Sequence, residues 1–151
     1  MKKLVLLVVL LGSANAVGAK PAFTGNNYSG EYQCKGSNDQ VGDYEMVVRL
    51  KLNRISSHGT FGAYSYETET ENSVVYAGQA AADGNRIAVS FNLTEAHGVE
   101  HSTGIATMKK NEVGRWTFKR LYYEGDDNGG IYGTETCVMK PLPVVKRPKK
   151  K

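Results

Sequence analysis

The sequence lacks long apolar runs, and it is poor in cysteine and tryptophan. It contains two cysteines and one tryptophan among 151 residues. Its longest unbroken apolar run covers only residues 4–11. A membrane-spanning helix needs about 20 apolar residues. The chain is therefore not expected to span a membrane with a helix.

Sequence motifs that would indicate catalysis are also missing. Serine, histidine and aspartate all occur, but no G-x-S-x-G nucleophile elbow surrounds any serine. No glycine-rich phosphate loop follows a predicted strand and opens a helix. We therefore expect no enzymatic activity and no cofactor.

The N-terminus has the pattern of a secretory signal peptide. Lys2 and Lys3 precede the apolar run, and small residues follow around Ala16 and Ala19. A cationic head, a short apolar stretch and an A-x-A site mark such a peptide. We expect residues 1–19 to be a signal peptide, cleaved after Ala16 or Ala19. The mature protein is then predicted to be soluble and secreted or periplasmic, in a bacterial host.

Both cysteines, Cys34 and Cys137, lie in the predicted mature part. An exported protein meets an oxidising compartment, where an even pair of cysteines indicates a disulfide. Closing so long a loop would stabilise the fold by about 4–5 kcal/mol in theory. Free or metal-binding thiols are the alternative.

The formal charge of +4 is concentrated at the ends of the chain. Residues 141–151 combine a basic cluster with prolines, which cannot continue a strand. We expect a disordered basic tail there, able to contact anionic surfaces. The body of the chain, residues 20–139, is mildly acidic, so no specific nucleic-acid binding is expected.

Alternating apolar and polar residues predict β-strands along the body. Residues 43–53 are the clearest case, because every second residue from Tyr44 to Leu52 is apolar. This period of two gives a strand one buried and one solvated face. The predicted strands cover residues 29–36, 43–53, 60–68, 73–82, 86–93, 102–109, 114–124 and 131–139.

Short turns separate these strands, and no amphipathic helix lies between them. Asp83-Gly84-Asn85 is a strong hairpin signal, because glycine and asparagine tolerate the positive φ of tight hairpins. The pattern predicts an all-β fold, a single eight-stranded antiparallel up-and-down barrel. Closing the barrel makes the first and last strands neighbours. Cys34 and Cys137 would then come within the roughly 7 Å that a bridge requires.

The predicted architecture resembles that of the calycins, which include lipocalins and avidins. The likeness rests on the eight meandering strands, on Gly30-Glu31-Tyr32 in the first strand and on the terminal disulfide. Lipocalins typically have Gly-x-Trp where this chain has Gly-x-Tyr, and their short helix before the last strand has no counterpart here. The chain also looks similar to small periplasmic lysozyme inhibitors, but without their inhibitory loop motif. The resemblance implies that the barrel mouth can bind a ligand.

Aromatic residues in the predicted strands are the candidate ligand-binding residues. Tyrosine combines apolar area with one polar tip, which suits a pocket wall or a protein-binding face. If Trp116 faces inward, Arg120 shares its face by the period of two and could fix an acidic ligand head. Ordinary barrel packing is the alternative. The candidates are Tyr64, Tyr66, Tyr76, Trp116, Arg120 and Tyr122.

The segment from His97 to His101 spells H-x-x-E-H, an inverted zinc-protease pattern. That chemistry needs both histidines on one helix face, a third ligand and a general base. Gly98 and the flanking strand patterns instead predict a polar hairpin loop. Adventitious metal binding by His97 and His101 remains a weak alternative.

Two functions fit these observations. In the first, a monomeric exported barrel binds a small apolar or amphipathic ligand inside. In the second, the barrel is packed solid and acts through its loops as an interaction or inhibitor module for an extracytoplasmic protein. Small residues are frequent in the predicted strands and are compatible with both. A cavity would discriminate between them.

Overall fold

A computed structural model describes residues 20–95, 98–125 and 129–141. The predicted signal peptide and residues 142–151 of the predicted tail lie outside the described residues. Within the described ranges the chain forms eight β-strands and no helix. They are β1 (Gly30–Asn38), β2 (Gly42–His58), β3 (Phe61–Thr70), β4 (Val75–Asp83), β5 (Arg86–Glu95), β6 (Gly98–Lys110), β7 (Trp116–Glu124) and β8 (Ile131–Met139).

The strands form one closed barrel in sequence order. Each strand pairs antiparallel with the next, and β8 pairs antiparallel with β1. Cys34 and Cys137 lie directly opposite each other in that last pairing and form a disulfide. The predictions of an eight-stranded up-and-down barrel and of its disulfide are therefore confirmed.

Side chains alternate between the barrel interior and the solvent, as the period of two predicts. In β2, Met46, Val48 and Leu50 are buried while Lys51 is exposed. In β5, Ile87, Val89 and Phe91 point inward in the same way. Burying these apolar side chains is the main driving force for closing the sheet.

Two strands, β2 and β6, extend several residues further than the sequence predicted. β2 continues to His58 because its register shifts after Asn53. The Asn53 Oδ1 accepts hydrogen bonds from the backbone N–H groups of Ile55 and Ser56 at 3.1 and 3.2 Å, so the polar segment bends without leaving the sheet. β6 begins at Gly98, which pairs with Glu95. The predicted loop from His97 to His101 is therefore wrong for its last four residues, whose backbone extends the β5–β6 ladder.

The segment before β1 closes one end of the barrel, which we call the closed end. Its anchor is Tyr28, which is 1% exposed. The Tyr28 hydroxyl donates to the carbonyl oxygen of Gly84 at 2.6 Å. The Tyr28 ring meets the edge of Trp116 with centroids 4.8 Å apart, and its carbonyl oxygen accepts from the Tyr32 hydroxyl at 2.7 Å. The opposite end, around Asn38 and Thr70, is the mouth.

Replacing Tyr28 with phenylalanine tests this anchor. The Tyr28→Phe variant keeps the ring but removes the donor to the Gly84 carbonyl. We expect it to lower the free energy of unfolding by about 1 kcal/mol, measured by urea denaturation. Tyr123→Phe on the outer wall is the matched control and should change stability by less than half as much. Equal effects of the two substitutions would contradict an anchoring role for the Tyr28 hydroxyl.

Candidate ligand-binding site at the barrel mouth

The mouth of the barrel leads into a depression with a volume of about 520 Å³, which we call the cup. Its size lies within the roughly 300–1,000 Å³ typical of small-molecule sites. Aromatic and aliphatic side chains make up much of its wall, and polar side chains occupy its floor and rim. Its aromatic and aliphatic lining includes Tyr44, Met46, Tyr76, Phe91, Leu93 and Tyr122.

One wall of the cup is a stack of aromatic rings. Phe91 stacks on Tyr66 with centroids 5.4 Å apart and on Tyr76 with centroids 6.3 Å apart. Gly78 lies opposite both Tyr66 and Phe91 in the sheet, and a side chain there would collide with Phe91. The glycine therefore makes room for the stack, which presents a flat apolar surface to the cup.

The floor of the cup carries a chain of hydrogen bonds. The hydroxyl oxygens of Tyr44 and Tyr122 are 2.8 Å apart. The Asn38 side-chain amide donates to the Tyr122 hydroxyl at 2.9 Å. The Tyr44 hydroxyl donates to the Glu135 carboxylate at 3.2 Å. Two phenolic groups are thus fixed side by side beneath the aromatic wall.

Glycines on the neighbouring strands explain why both tyrosine rings can reach this position. Gly36 lies opposite Tyr44, and Gly133 lies opposite Tyr122. A Cβ atom at either glycine would overlap the ring of its partner tyrosine. Each ring therefore lies flat across the backbone of the adjacent strand. The two hydroxyls therefore meet across β1 and β8, the strands that separate β2 from β7.

A buried ion pair lies beneath the floor. Arg120 is fully buried and Glu135 is 3% exposed. The Arg120 Nη1 contacts both Glu135 carboxylate oxygens at 3.0 and 3.1 Å, and its Nη2 donates to the Ser102 hydroxyl at 2.7 Å. Gly104 leaves space for the guanidinium, because a Cβ there would lie 2.5 Å from Arg120 Nε. The pair ties β6, β7 and β8 together.

Burial changes the proton affinity of the groups on the floor. Desolvation raises the pKa of the Glu135 carboxyl, although Arg120 and Tyr44 act in the opposite direction. Desolvation is also the main reason that the pKa values of Tyr44 and Tyr122 are raised. Both phenols therefore stay protonated at neutral pH and offer a ligand hydroxyl groups rather than phenolates.

The structure separates the six predicted ligand-binding residues into three places. Tyr76 and Tyr122 line the cup. Tyr66 and Arg120 are fully buried beneath it. Tyr64 and Trp116 lie at the closed end beside Tyr28. Ligand binding by the two cup residues stays a prediction.

The suggested role of Arg120 needs correction. The Arg120 side chain does face inward, as the period of two predicted. However, it is 0% exposed, and its guanidinium donates hydrogen bonds to Glu135 and Ser102. The guanidinium is therefore not presented to the cup as a site for an acidic ligand head. Sequence reasoning missed Tyr44, Asn38 and Glu135, because only the strand register reveals the tyrosine–glycine pairs and the partner of Arg120.

The predicted weak metal site is only partly described. The His101 Nδ1 lies 2.9 Å from the Asn92 side-chain oxygen, and His97 lies outside the described residues. In the ranges that the structure describes, no group of three or more His, Cys, Asp or Glu side chains could hold a metal ion. Across the same residues, no helix is long and apolar enough to cross a membrane.

The outer wall carries a row of apolar residues. Ala81, Ala88, Ile105 and Leu121 lie side by side across β4 to β7. Ile105 is 65% exposed and Leu121 is 54% exposed. A shallow groove lies over this row. It is an apolar patch on the convex surface and does not connect with the cup.

Comparisons with known proteins give no match: no family model, curated protein or solved structure is similar to this chain. The class of protein is therefore defined by its structure alone. It is a disulfide-closed, eight-stranded antiparallel β-barrel with an aromatic cup at one end, and the segment before β1 covers the other.

Proposed function

We propose that the protein is a non-enzymatic, extracytoplasmic binding protein that holds a small amphipathic ligand in the cup. The observation that carries the proposal is the pairing of an apolar aromatic wall with a hydroxyl floor in one depression. Phe91, Tyr76 and Leu93 supply the wall, and Tyr44 and Tyr122 supply the floor. A ligand with an apolar part and a polar end matches both surfaces.

The site supports binding because it is already ordered. The Tyr44 and Tyr122 hydroxyls are held by each other, by Asn38 and by Glu135. Stacking on Tyr66 fixes the Phe91 ring. A ligand therefore gains apolar burial of about 25 cal/mol per Å² with little cost for ordering side chains.

Other features support the proposed location and role. A disulfide between β1 and β8 is typical of proteins that work outside the reducing cytoplasm. The architecture is compatible with that of calycins, in which a ligand site at the barrel mouth is expected from the resemblance. Glu135, the buried carboxylate at the floor, is held by Arg120 and Tyr44, which favours a structural role over an acid–base role.

A variant that fills the cup tests the proposal. In Leu93→Trp, the larger side chain occupies space that the ligand needs. Native mass spectrometry of wild-type protein purified from its own host should show a co-purified small molecule at one per chain. Leu93→Trp, purified in the same way, should lose most of that signal.

Leu121→Trp is the matched control, because it adds the same ring on the outer wall, where Leu121 is 54% exposed. This variant should retain the adduct. Wild-type protein without any adduct, or an adduct unaffected by Leu93→Trp, would contradict ligand binding in the cup. Thermal unfolding of both variants would show that each is folded.

A protein-interaction module is the second candidate function, and the apolar row on the outer wall favours it. Under this alternative, the exposed Ile105 and Leu121 side chains form the contact surface and the cup stays empty. Protein from the host would then carry no small molecule. The same native mass spectrum therefore distinguishes the two functions, by the presence or absence of a bound small molecule.

A further inference from the structure

We propose that the ligand of the cup is a small amphiphile with a positively charged head, of the alkylammonium type. This inference rests on the proposed function and adds the sign of the ligand's charge. It follows from the charges that line the cup, from the aromatic faces beside them and from the distribution of charge between the two ends of the barrel.

Carboxylates line the cup, and among its described lining residues there is no lysine or arginine. The carboxylates belong to Glu45, Glu71, Glu124 and Glu135. Arg120 compensates Glu135 from beneath. Glu45 contacts Lys35 at 3.1 Å; that lysine is 78% exposed and is not a lining residue of the cup. The described lining residues therefore carry a net negative formal charge, which attracts a cationic head and repels an anionic one.

The aromatic side chains of the cup add to this preference. Tyr44, Tyr76, Phe91 and Tyr122 all line it. The face of an aromatic ring carries negative electrostatic potential, and clusters of such rings recognise quaternary ammonium groups. Arg120 already lies over two of these rings, 5.0 Å from the Phe91 centroid and 4.9 Å from the Tyr122 centroid, so a bound cationic head would contact Tyr44 and Tyr76.

The two ends of the barrel differ in charge. The closed end has more basic than acidic residues at its strand termini and turns, namely Arg86, Lys109, Lys110, Arg115 and Lys140 against Glu31, Asp83 and Glu112, and Glu31 contacts Lys140 at 2.6 Å. The mouth carries the rim carboxylates described above. Such an asymmetric field guides a cation toward the mouth and an anion away from it.

Three amphiphiles with the same decyl chain test the sign of the charge. Decyltrimethylammonium, decyl glucoside and decyl sulfate differ only in their heads, and each is titrated below its micelle concentration by calorimetry. We expect the cation to bind about tenfold more tightly than the neutral probe, and the anion to bind more weakly than both. Added salt should weaken the binding of the cation and leave the neutral probe unchanged.

Single glutamate-to-glutamine substitutions at the rim test whether these carboxylates cause the preference for a cation. Glu71→Gln and Glu124→Gln should each weaken decyltrimethylammonium binding by about two- to fivefold, and neither should affect decyl glucoside. Glu112→Gln is the matched control, because Glu112 lies in the turn between β6 and β7 at the closed end. It should leave the binding of both probes unchanged.

The outcomes separate this inference from the proposed function. Equal binding of all three probes, abolished by Leu93→Trp, would retain ligand binding in the cup and overturn the positive charge. Tighter binding of the anion would also overturn it. If no probe binds, or if Leu93→Trp leaves binding unchanged, the proposed function fails as well. A cation preference lost on Glu71→Gln and Glu124→Gln but not on Glu112→Gln supports both.

Discussion

Replacing Arg120 with methionine should lower the free energy of unfolding by about 3–5 kcal/mol, measured by urea denaturation at neutral pH. The physical reason is the uncompensated carboxylate that remains. Glu135 is 3% exposed and both its oxygens contact the Arg120 guanidinium. Without that cation, the folded protein either keeps a buried, unpaired Glu135 carboxylate or takes up a proton from solvent to neutralise it.

Replacing both partners of the ion pair should recover most of this loss. In Arg120→Met/Glu135→Leu, apolar side chains of similar size fill the same space, and buried ion pairs are often replaced in this way at little cost. A double-mutant cycle measures the recovery. Additive losses in the double variant would contradict a mutual dependence of the two residues.

The stability of the single variant Arg120→Met should also depend on pH in a distinct way. Burial raises the pKa of Glu135 in the folded protein, and the loss of Arg120 removes a group that lowers it. A carboxyl whose folded-state pKa is raised contributes stability below its unfolded pKa, and that contribution is lost as the pH rises through the folded-state pKa. Arg120→Met should therefore be closest to wild type in acid and furthest from it at neutral pH.

Removing the disulfide is the second change with a large expected effect. The variant Cys34→Ala/Cys137→Ala should lose about 3–5 kcal/mol of unfolding free energy. The bond joins residues separated by 103 positions, so without it the unfolded chain gains much conformational freedom. It also holds β1 to β8, the pairing that closes the barrel.

A reductant supplies the control for this variant. In a urea titration equilibrated with dithiothreitol, which reduces the buried bond in the unfolded chain, the wild type should be no more stable than Cys34→Ala/Cys137→Ala, and the variant itself should be unchanged. If the wild type is equally stable with and without dithiothreitol, its two thiols do not form the stabilising bond.

The barrel could be predicted from the sequence because its strands obey a simple physical pattern. Every second residue between Tyr44 and Leu52 is apolar, so one strand face had to be buried. Asp83-Gly84-Asn85 marked a hairpin that the structure contains between β4 and β5. The two cysteines then linked the first strand to the last. Local residue patterns and one covalent constraint were therefore sufficient for the topology.

Most of the cup could not be predicted, because its geometry depends on strand register. Nothing in the sequence links Tyr44 to Gly36, and only the β1–β2 pairing places them opposite each other. The same is true of Tyr122 and Gly133 across β7 and β8. Sequence patterns show which face of a strand points inward, but not which end of the barrel a side chain occupies. For this reason Trp116 and Tyr122, on the same face of one strand, were grouped although they lie near opposite ends.

The partner of Arg120 illustrates a related limit. The period of two correctly placed the arginine inside the barrel, but a buried cation needs a counter-charge from another strand. Glu135 supplies it from β8, and alternation within β8 alone gives no reason to expect a glutamate to be paired inside. A buried charge predicted from one strand should therefore prompt a search for an opposite charge on the neighbouring strands.

The methionine methyl groups allow the most direct test of the cup as the ligand site. Met46 lines the cup, whereas Met108 is buried and pairs with Phe118 toward the closed end. Carbon-13 methyl NMR during a titration with decyltrimethylammonium should show saturable shifts of the Met46 signal and little change at Met108. Unchanged Met46 shifts at saturation, or larger shifts at Met108 than at Met46, would contradict a ligand site at the barrel mouth.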